Sequence, residues 1–131
     1  MRTTPDMITE LKPNEIFVFG SNESGRHGAG AAKTALKWGA VYGQSFGLQG
    51  RTFAIPTVNA SVSNKISITK VKSYIESFIE YAKEHPELTF LVTEIGCGLA
   101  GFNVKEIAPL FESAKNIENI HLPSKFWRIL K

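Results

Sequence analysis

The sequence predicts a three-layer α/β fold with a substantially parallel sheet, and three observations carry that prediction. Strand-like and helix-like segments alternate along the chain with short connections. Two apolar strand-like runs empty directly into glycine-rich loops, each followed by a helix-like segment. The second run, residues 89–95, is β-branched and aromatic and too short for a membrane span, which is the pattern of a strand covered on both faces and placed centrally in its sheet.

Taken in order, residues 1–14 hold Pro5 and Pro13 without clear periodicity, and residues 6–11 offer an irregular edge segment or a short helical turn. Residues 15–19, EIFVF, form the first strand and run into the loop GSNESGRHGAG. A helix rich in alanine, leucine and lysine starts near residues 28–30 and reaches Trp38. Residues 40–50, with Gly43, Gly47 and Gly50, read as an irregular connection. Residues 51–55, RTFAI, are a short strand stopped by Pro56. After a polar loop, Ser67 caps an amphipathic helix to about Glu84, with Val71, Ile75, Phe78, Ile79 and Ala82 on one face, and Pro86 stops it.

The second apolar run ends in GCGLAG, residues 96–101. Asn103 then caps a helix from Val104 to about Lys115, with Glu106 in the capping-box position and Pro109 shortening or kinking it. Residues 119–122 form a last strand, and Phe126, Trp127, Ile129 and Leu130 pack as an edge strand or a short turn. The two glycine loops then lie at one edge of the sheet, where helix N-termini and free backbone N–H groups favour anions.

Composition bounds the function. At 131 residues, 43% hydrophobic and 21% charged, without repeats or low-complexity tracts, the chain is expected to be one globular domain spanning residues 1–131. The net charge of +3 comes from scattered lysines and arginines, a pattern that favours an anionic ligand slightly and gives no sign of nucleic-acid wrapping. A single cysteine, Cys97, excludes an internal disulfide, and no two of the three histidines have metal-ligand spacing. No signal peptide and no 18-residue apolar stretch are present, so a cytoplasmic monomer without membrane contact, metal or cofactor is expected.

GCGLAG matches the literal G-x-G-x-x-G pattern of dinucleotide-binding proteins, with Glu118 roughly ~20 residues beyond it. The helix cap, however, falls after the third glycine, and too little chain follows for a two-halved dinucleotide sheet. No GK[ST] follows either loop.

Together, FVFGSN, GRHGAGAAKTAL, FAIPT and TFLVTEIGCGLAGF resemble the macrodomain superfamily of ADP-ribose-binding modules, from about residue 15 to residue 122. The likeness is strongest to small bacterial and phage macrodomain-like proteins and to the branch that removes ADP-ribose from nucleic acid or acidic side chains. The resemblance implies an α/β/α sandwich with a central mixed, largely parallel sheet. It implies a first loop holding the distal ribose and part of the diphosphate, with candidate contacts Gly20, Ser21, Asn22, His27, Gly28, Ala29, Gly30 and Ala31. Thr57 follows from the next strand end. A second loop, of Ile95, Gly96, Cys97, Gly98, Leu99, Ala100, Gly101 and Phe102, wraps the diphosphate, and Phe102 covers a ribose or staples the next helix.

The resemblance also implies the ligand, ADP-ribose or a related ADP-ribosyl derivative, and as macromolecular partner an ADP-ribosylated protein or nucleic acid. Three activities stay open: hydrolysis of ADP-ribose from a macromolecule or small ester, non-catalytic binding or sequestration in signalling or phage defence, and a ligand-free relic. Hydrolytic members carry a lysine just after the segment written here AIPT, and some an aspartate after GCGL; this chain has Val58 and Ala100 there. Asn22 and His27 are the remaining catalytic candidates, as a ribose-orienting amide and a proton relay. Cys97 reads as a small buried thiol rather than an activated one, and Glu94, inside the apolar run, calls for a strand-end opening or a cationic partner.

Overall fold

The first strand, β1 (Glu15–Asn22), is apolar at successive positions because both of its faces are covered. Ile16 and Val18 point into a large core, and Phe17 and Phe19 point the other way into a smaller one. The computed structural model describes residues 2–98 and 100–131. Its sheet contains β2 (Gly47–Gln49), β3 (Thr52–Val58), β4 (Thr89–Val92) and β5 (Ile120–His121) beside β1, in the order β2-β3-β1-β4-β5. All neighbours run parallel except β2, which lies antiparallel to β3. The protein is therefore an α/β/α sandwich with a mixed, mostly parallel sheet.

One face of the sheet carries α1 (Gly30–Ala35) and the 3-10 turn Leu36–Trp38. The other carries α2 (Ile68–Glu84), α3 (Val104–Ile107) with the 3-10 segment Ala108–Asn116, and α4 (Ser124–Leu130). Ser67 caps α2 by accepting from the Lys70 N–H at 3.2 Å. The helix buries Val71, Ile75, Phe78, Ile79 and Ala82, the face expected from spacing. Fully burying a side chain of the size of Ile or Phe contributes about 1.5–3 kcal/mol, against tenths for intrinsic propensity, so packing decides this helix.

Several boundaries differ from expectation, each for a local reason. The centre of the sheet is β1, not the run at 89–95, because every interior strand of a covered sheet is equally apolar and hydrophobicity does not rank position. That run leaves the ladder at Val92: the Thr93 N–H and Oγ1 both donate to the Val18 carbonyl, at 3.1 and 2.7 Å. β1 continues to Asn22 because β3 accompanies it that far, and β3 runs through Pro56. Pairing of β2 to β3 ends at Ala54, so the missing N–H of Pro56 breaks no bond on that flank.

Residues 40–50 contain β2, turned back on β3 through Gly50 at φ +60°, the geometry a Gly-X hairpin uses. Asn103 and Glu106 form the expected capping box, and Pro109 ends the α-helix at Ile107, leaving a 3-10 continuation. The C-terminal segment is a helix that follows Pro123 and buries Phe126, Trp127 and Leu130. Residues 6–11 form neither helix nor strand; instead Thr3 bridges in parallel to Leu122, and the Trp127 Nε1 donates to the Arg2 carbonyl at 2.9 Å. Among the described residues no helix is long and apolar enough to cross a membrane.

Phe53, Phe78 and Phe90 meet edge to face, with ring centroids 5.0 to 6.3 Å apart, and join α2 to β3 and β4. Phe78→Ala is expected to cost about 3–5 kcal/mol in urea unfolding, and Ser67→Ala about 1 kcal/mol. Equal losses would show that the aromatic cluster is not what holds α2.

Candidate functional site

Because β1, β3 and β4 are parallel, their carboxyl ends open at one edge, and a cleft of about 550 Å³ lies there. Its floor is Gly20, Ser21 and Asn22 at the end of β1, flanked by Thr57 and Val58 of β3 and by Thr93 to Gly96 after β4. Gly28, Ala29, Gly30 and Ala31 form one wall, and Gly98 and Ala100 belong to the other. The two glycine loops thus face each other across the strand ends.

Backbone donors converge here. Among the described residues, the N–H groups of Gly30 and Ala31 in the first turn of α1, and of Gly96, Gly98 and Ala100, have no hydrogen-bond partner. Gly20 is needed for close approach: a Cβ there would come within 3.3 Å of the Gly96 nitrogen and 3.4 Å of the Thr57 Oγ1. The N-terminus of α3 does not contribute, because its capping box occupies its donors; the Asn103 Oδ1 takes the Lys105 N–H at 2.9 Å, and the Glu106 Oε1 takes the Asn103 N–H at 2.8 Å. One helix start and a loop, rather than two helix starts, supply the N–H groups.

The polar side chains of the first loop are occupied in shaping it. The Asn22 Oδ1 accepts from Ser24 Oγ and the Arg26 N–H, both at 2.8 Å, and its Nδ2 donates to the Arg26 carbonyl at 2.7 Å. A saturated carbonyl leaves Asn22 one free N–H, which suits a turn-forming role better than catalysis. The Ser21 hydroxyl donates to the Ser45 carbonyl, and Thr57 Oγ1 to the Ser21 carbonyl at 3.3 Å.

His27 lies off the wall. It is 1% exposed, packs edge-on to Phe19 at 5.3 Å, and donates from Nε2 to the Val41 carbonyl at 3.0 Å. A carbonyl only accepts, so Nε2 carries a proton, and Nδ1 is buried with no hydrogen-bond partner among the described residues. A proton relay from this ring to the cleft has no geometry to use.

Three second-loop positions also turn away. Cys97 packs against the large core with its Sγ 3.4 Å from the Ile95 carbonyl, and Gly101 is exposed, donating its N–H to the Gly98 carbonyl at 3.1 Å. Phe102 is buried under the loop, where it staples the following helix instead of covering a ligand. Leu99 lies outside the described residues.

The lining includes residues that the glycine pattern did not signal: Arg26, Tyr42, Val62 and Glu94. Arg26 is the one cation among the described lining residues, and no lysine lines the cleft. Val58, at the end of β3, lines the cleft with an apolar side chain. Lys70 is held by Glu23 at 2.7 Å, and that hydrogen bond and charge raise its pKa, so it stays protonated; Lys65 lies over the Phe102 ring at 4.7 Å. Glu94 stands outside the ladder, 3.7 Å from the Lys125 Nζ, the ion pair expected for it.

A second cavity, of about 400 Å³, adjoins the first and shares Ala31, Thr93 and Glu94 with it. Thr4, Asp6, Ile8 and Pro123 also line it, and the buried Thr4 Oγ1 has no hydrogen-bond partner among the described residues. Glu118, the acidic residue of the dinucleotide pattern, is in the turn before β5, at the amino edge of the parallel sheet and away from both cavities.

No protein-family model matches the chain, and no curated protein sequence does. A solved structure from Bacteroides thetaiotaomicron, described as a protein of unknown function, superposes with a TM-score of 0.63 over 88% of each chain at 14% identity. At that identity the likeness concerns the fold.

Burial, then the nearby Glu94 carboxylate, pushes the Cys97 thiol up to about 11. It is therefore a neutral thiol at pH 7, and its alkylation by iodoacetamide is expected to stay slow at pH 8 and to accelerate only as pH approaches that value. Rapid alkylation at pH 7 would mean an activated thiolate.

Proposed function

We propose that the protein binds ADP-ribose or a closely related ADP-ribosyl nucleotide, in a macrodomain-like manner, without catalysing its turnover. The observation that carries the reading is that Gly30, Ala31, Gly96, Gly98 and Ala100, whose N–H groups have no hydrogen-bond partner among the described residues, all line one cleft at the strand ends. Such a cradle suits a diphosphate bound by backbone rather than by lysines. The adjoining cavity, with the unpartnered Thr4 hydroxyl and the Asp6 carboxylate, suits the base, whose ring nitrogens and exocyclic amine supply the matching acceptor and donors. The terminal ribose then lies toward Asn22, Thr57 and Val58, about two inter-strand spacings, or ~10 Å, from β4.

Binding is favoured over hydrolysis by the state of the catalytic candidates: His27 is held off the cleft, the Asn22 carbonyl is saturated, and no lysine is among the described residues lining it. Glu94 is the one carboxylate among the described residues lining this cleft, and Lys125 offsets its charge.

Calorimetric titration with ADP-ribose, ADP, AMP and NAD is expected to give saturable heat strongest for ADP-ribose. No heat or thermal shift at millimolar ADP-ribose would overturn the reading, and release of free ADP-ribose from ADP-ribosylated DNA or glutamate substrates would replace it with a hydrolase. A Cβ at Gly98 meets nothing within 4 Å of the protein, so Gly98→Val is expected to keep the wild-type melting temperature and abolish binding. Normal binding by Gly98→Val would remove the diphosphate from that loop.

A further inference from the structure

Tyr42 is 64% exposed and lines the cleft, yet the backbone on both sides of it is held by hydrogen bonds to buried groups. The N–H of Val41 donates to the buried Gln49 Oε1 at 2.8 Å, and the carbonyl of Val41 accepts from the buried His27 at 3.0 Å. On the other side, the Gly43 N–H donates to the Gly25 carbonyl at 2.8 Å, and the carbonyl of Ser45 accepts from Ser21. Gly25, at φ +72°, allows this packing; a Cβ there would lie 2.5 Å from the Gln44 nitrogen. The His27 ring also supports the Tyr42 ring edge to face, at 6.2 Å.

Facing the same cleft is Val62, 47% exposed, whose φ of +58° is a conformation β-branched residues avoid. Its loop is held there by Asn59, whose Oδ1 accepts from the Ser63 N–H at 3.0 Å and from Ser61 Oγ at 3.1 Å, while the Val62 N–H donates to the Asn59 carbonyl at 3.0 Å. Two large side chains that line the cleft are thus presented to solvent by loops fixed through their backbones. Folding gains little from either exposed side chain. A bound ring gains a preformed platform.

We propose that Tyr42 and Val62 form a clamp on the terminal sugar of the ligand and set selectivity for ADP-ribose over ADP. This rests on the nucleotide reading above and deepens it. The clamp belongs to the β3 side of the cleft, with Val58, whereas the second cavity opens from the β4 side at Thr93 and Glu94. A nucleotide with its base in that cavity and its diphosphate over β1 therefore ends between Tyr42 and Val62. The apolar face of a ribose packs on the Tyr42 ring, and Arg26, which lines the same cleft, offers its charge to the diphosphate. Phe102, the aromatic of the second loop, is buried in the core and is not available for this task.

The test is calorimetric titration of ADP-ribose and ADP into wild type, Tyr42→Ala, Tyr42→Phe and Val62→Ala. Tyr42→Ala is expected to bind ADP-ribose about tenfold more weakly and ADP within about twofold of wild type, at an unchanged melting temperature. Tyr42→Phe should restore ADP-ribose affinity, since the ring and not the hydroxyl makes the platform, and Val62→Ala should weaken ADP-ribose selectively as well. ADP-ribose affinity unchanged in Tyr42→Ala, or equal losses for ADP and ADP-ribose, would overturn the clamp while leaving the nucleotide site in place. A wild type that binds neither nucleotide would overturn the nucleotide reading, and the clamp with it.

Discussion

The parallel pairing of β1 with a strand on each side is the constraint from which the rest of the structure follows. Phe17 stands in register with Thr52 on one flank and with Leu91 on the other, so three strands deliver their carboxyl ends to one edge. Parallel neighbours require crossover connections, and those connections are the helical layers that bury Ile16 and Val18 on one face and Phe17 and Phe19 on the other. The same geometry brings the loops after β1 and β4 to one cleft across the strand ends. A cleft between glycine loops is the direct consequence of a core built this way.

Within the cleft, side chains that look chemical by type do structural work. Asn22 ties residues 22–26 into a turn, His27 supports the backbone of Val41, and Asn103 with Glu106 closes the start of α3. Each of these polar atoms sits where the chain leaves regular structure, and an unpaired backbone group there would cost about 1–3 kcal/mol. The groups left open to a ligand are backbone N–H groups, the lining residues Arg26 and Tyr42, and the ion-paired Glu94. Open backbone N–H groups beside one arginine suit an anion held by hydrogen bonds to the backbone. The cleft presents no lysine or histidine for covalent or acid-base chemistry among the described lining residues.

His27 illustrates how a buried polar residue acts at a distance from the site. Its Nδ1 lacks a partner among the described residues, a local cost, while its Nε2 fixes the segment that carries Tyr42. Gln49 does the same from the other side of Val41, and its own amide is held by the carbonyl of Gln44 at 3.0 Å. An exposed aromatic anchored through buried polar groups is preorganised, which lowers the ordering cost of binding.

By itself the sequence determined the α/β class, the long helix with Ser67 as its cap, the Asn103–Glu106 capping box and the two glycine loops at strand ends. These depend on local periodicity and on neighbours three or four residues apart, which a chain displays without its fold. Only the tertiary structure decided that β1 and not β4 is central, that β2 pairs back through Gly50, and that Pro56 is tolerated inside a strand because β2 stops pairing with it at Ala54. It also decided which residues of the loops face the cleft. His27 and Gly28 are adjacent in the chain, yet one is in the core and the other on the wall, because burial depends on contacts such as Phe19 and Val41 that lie far off in sequence. Tyr42 and Val62 come to one cleft from segments twenty residues apart, and no local pattern announces that meeting.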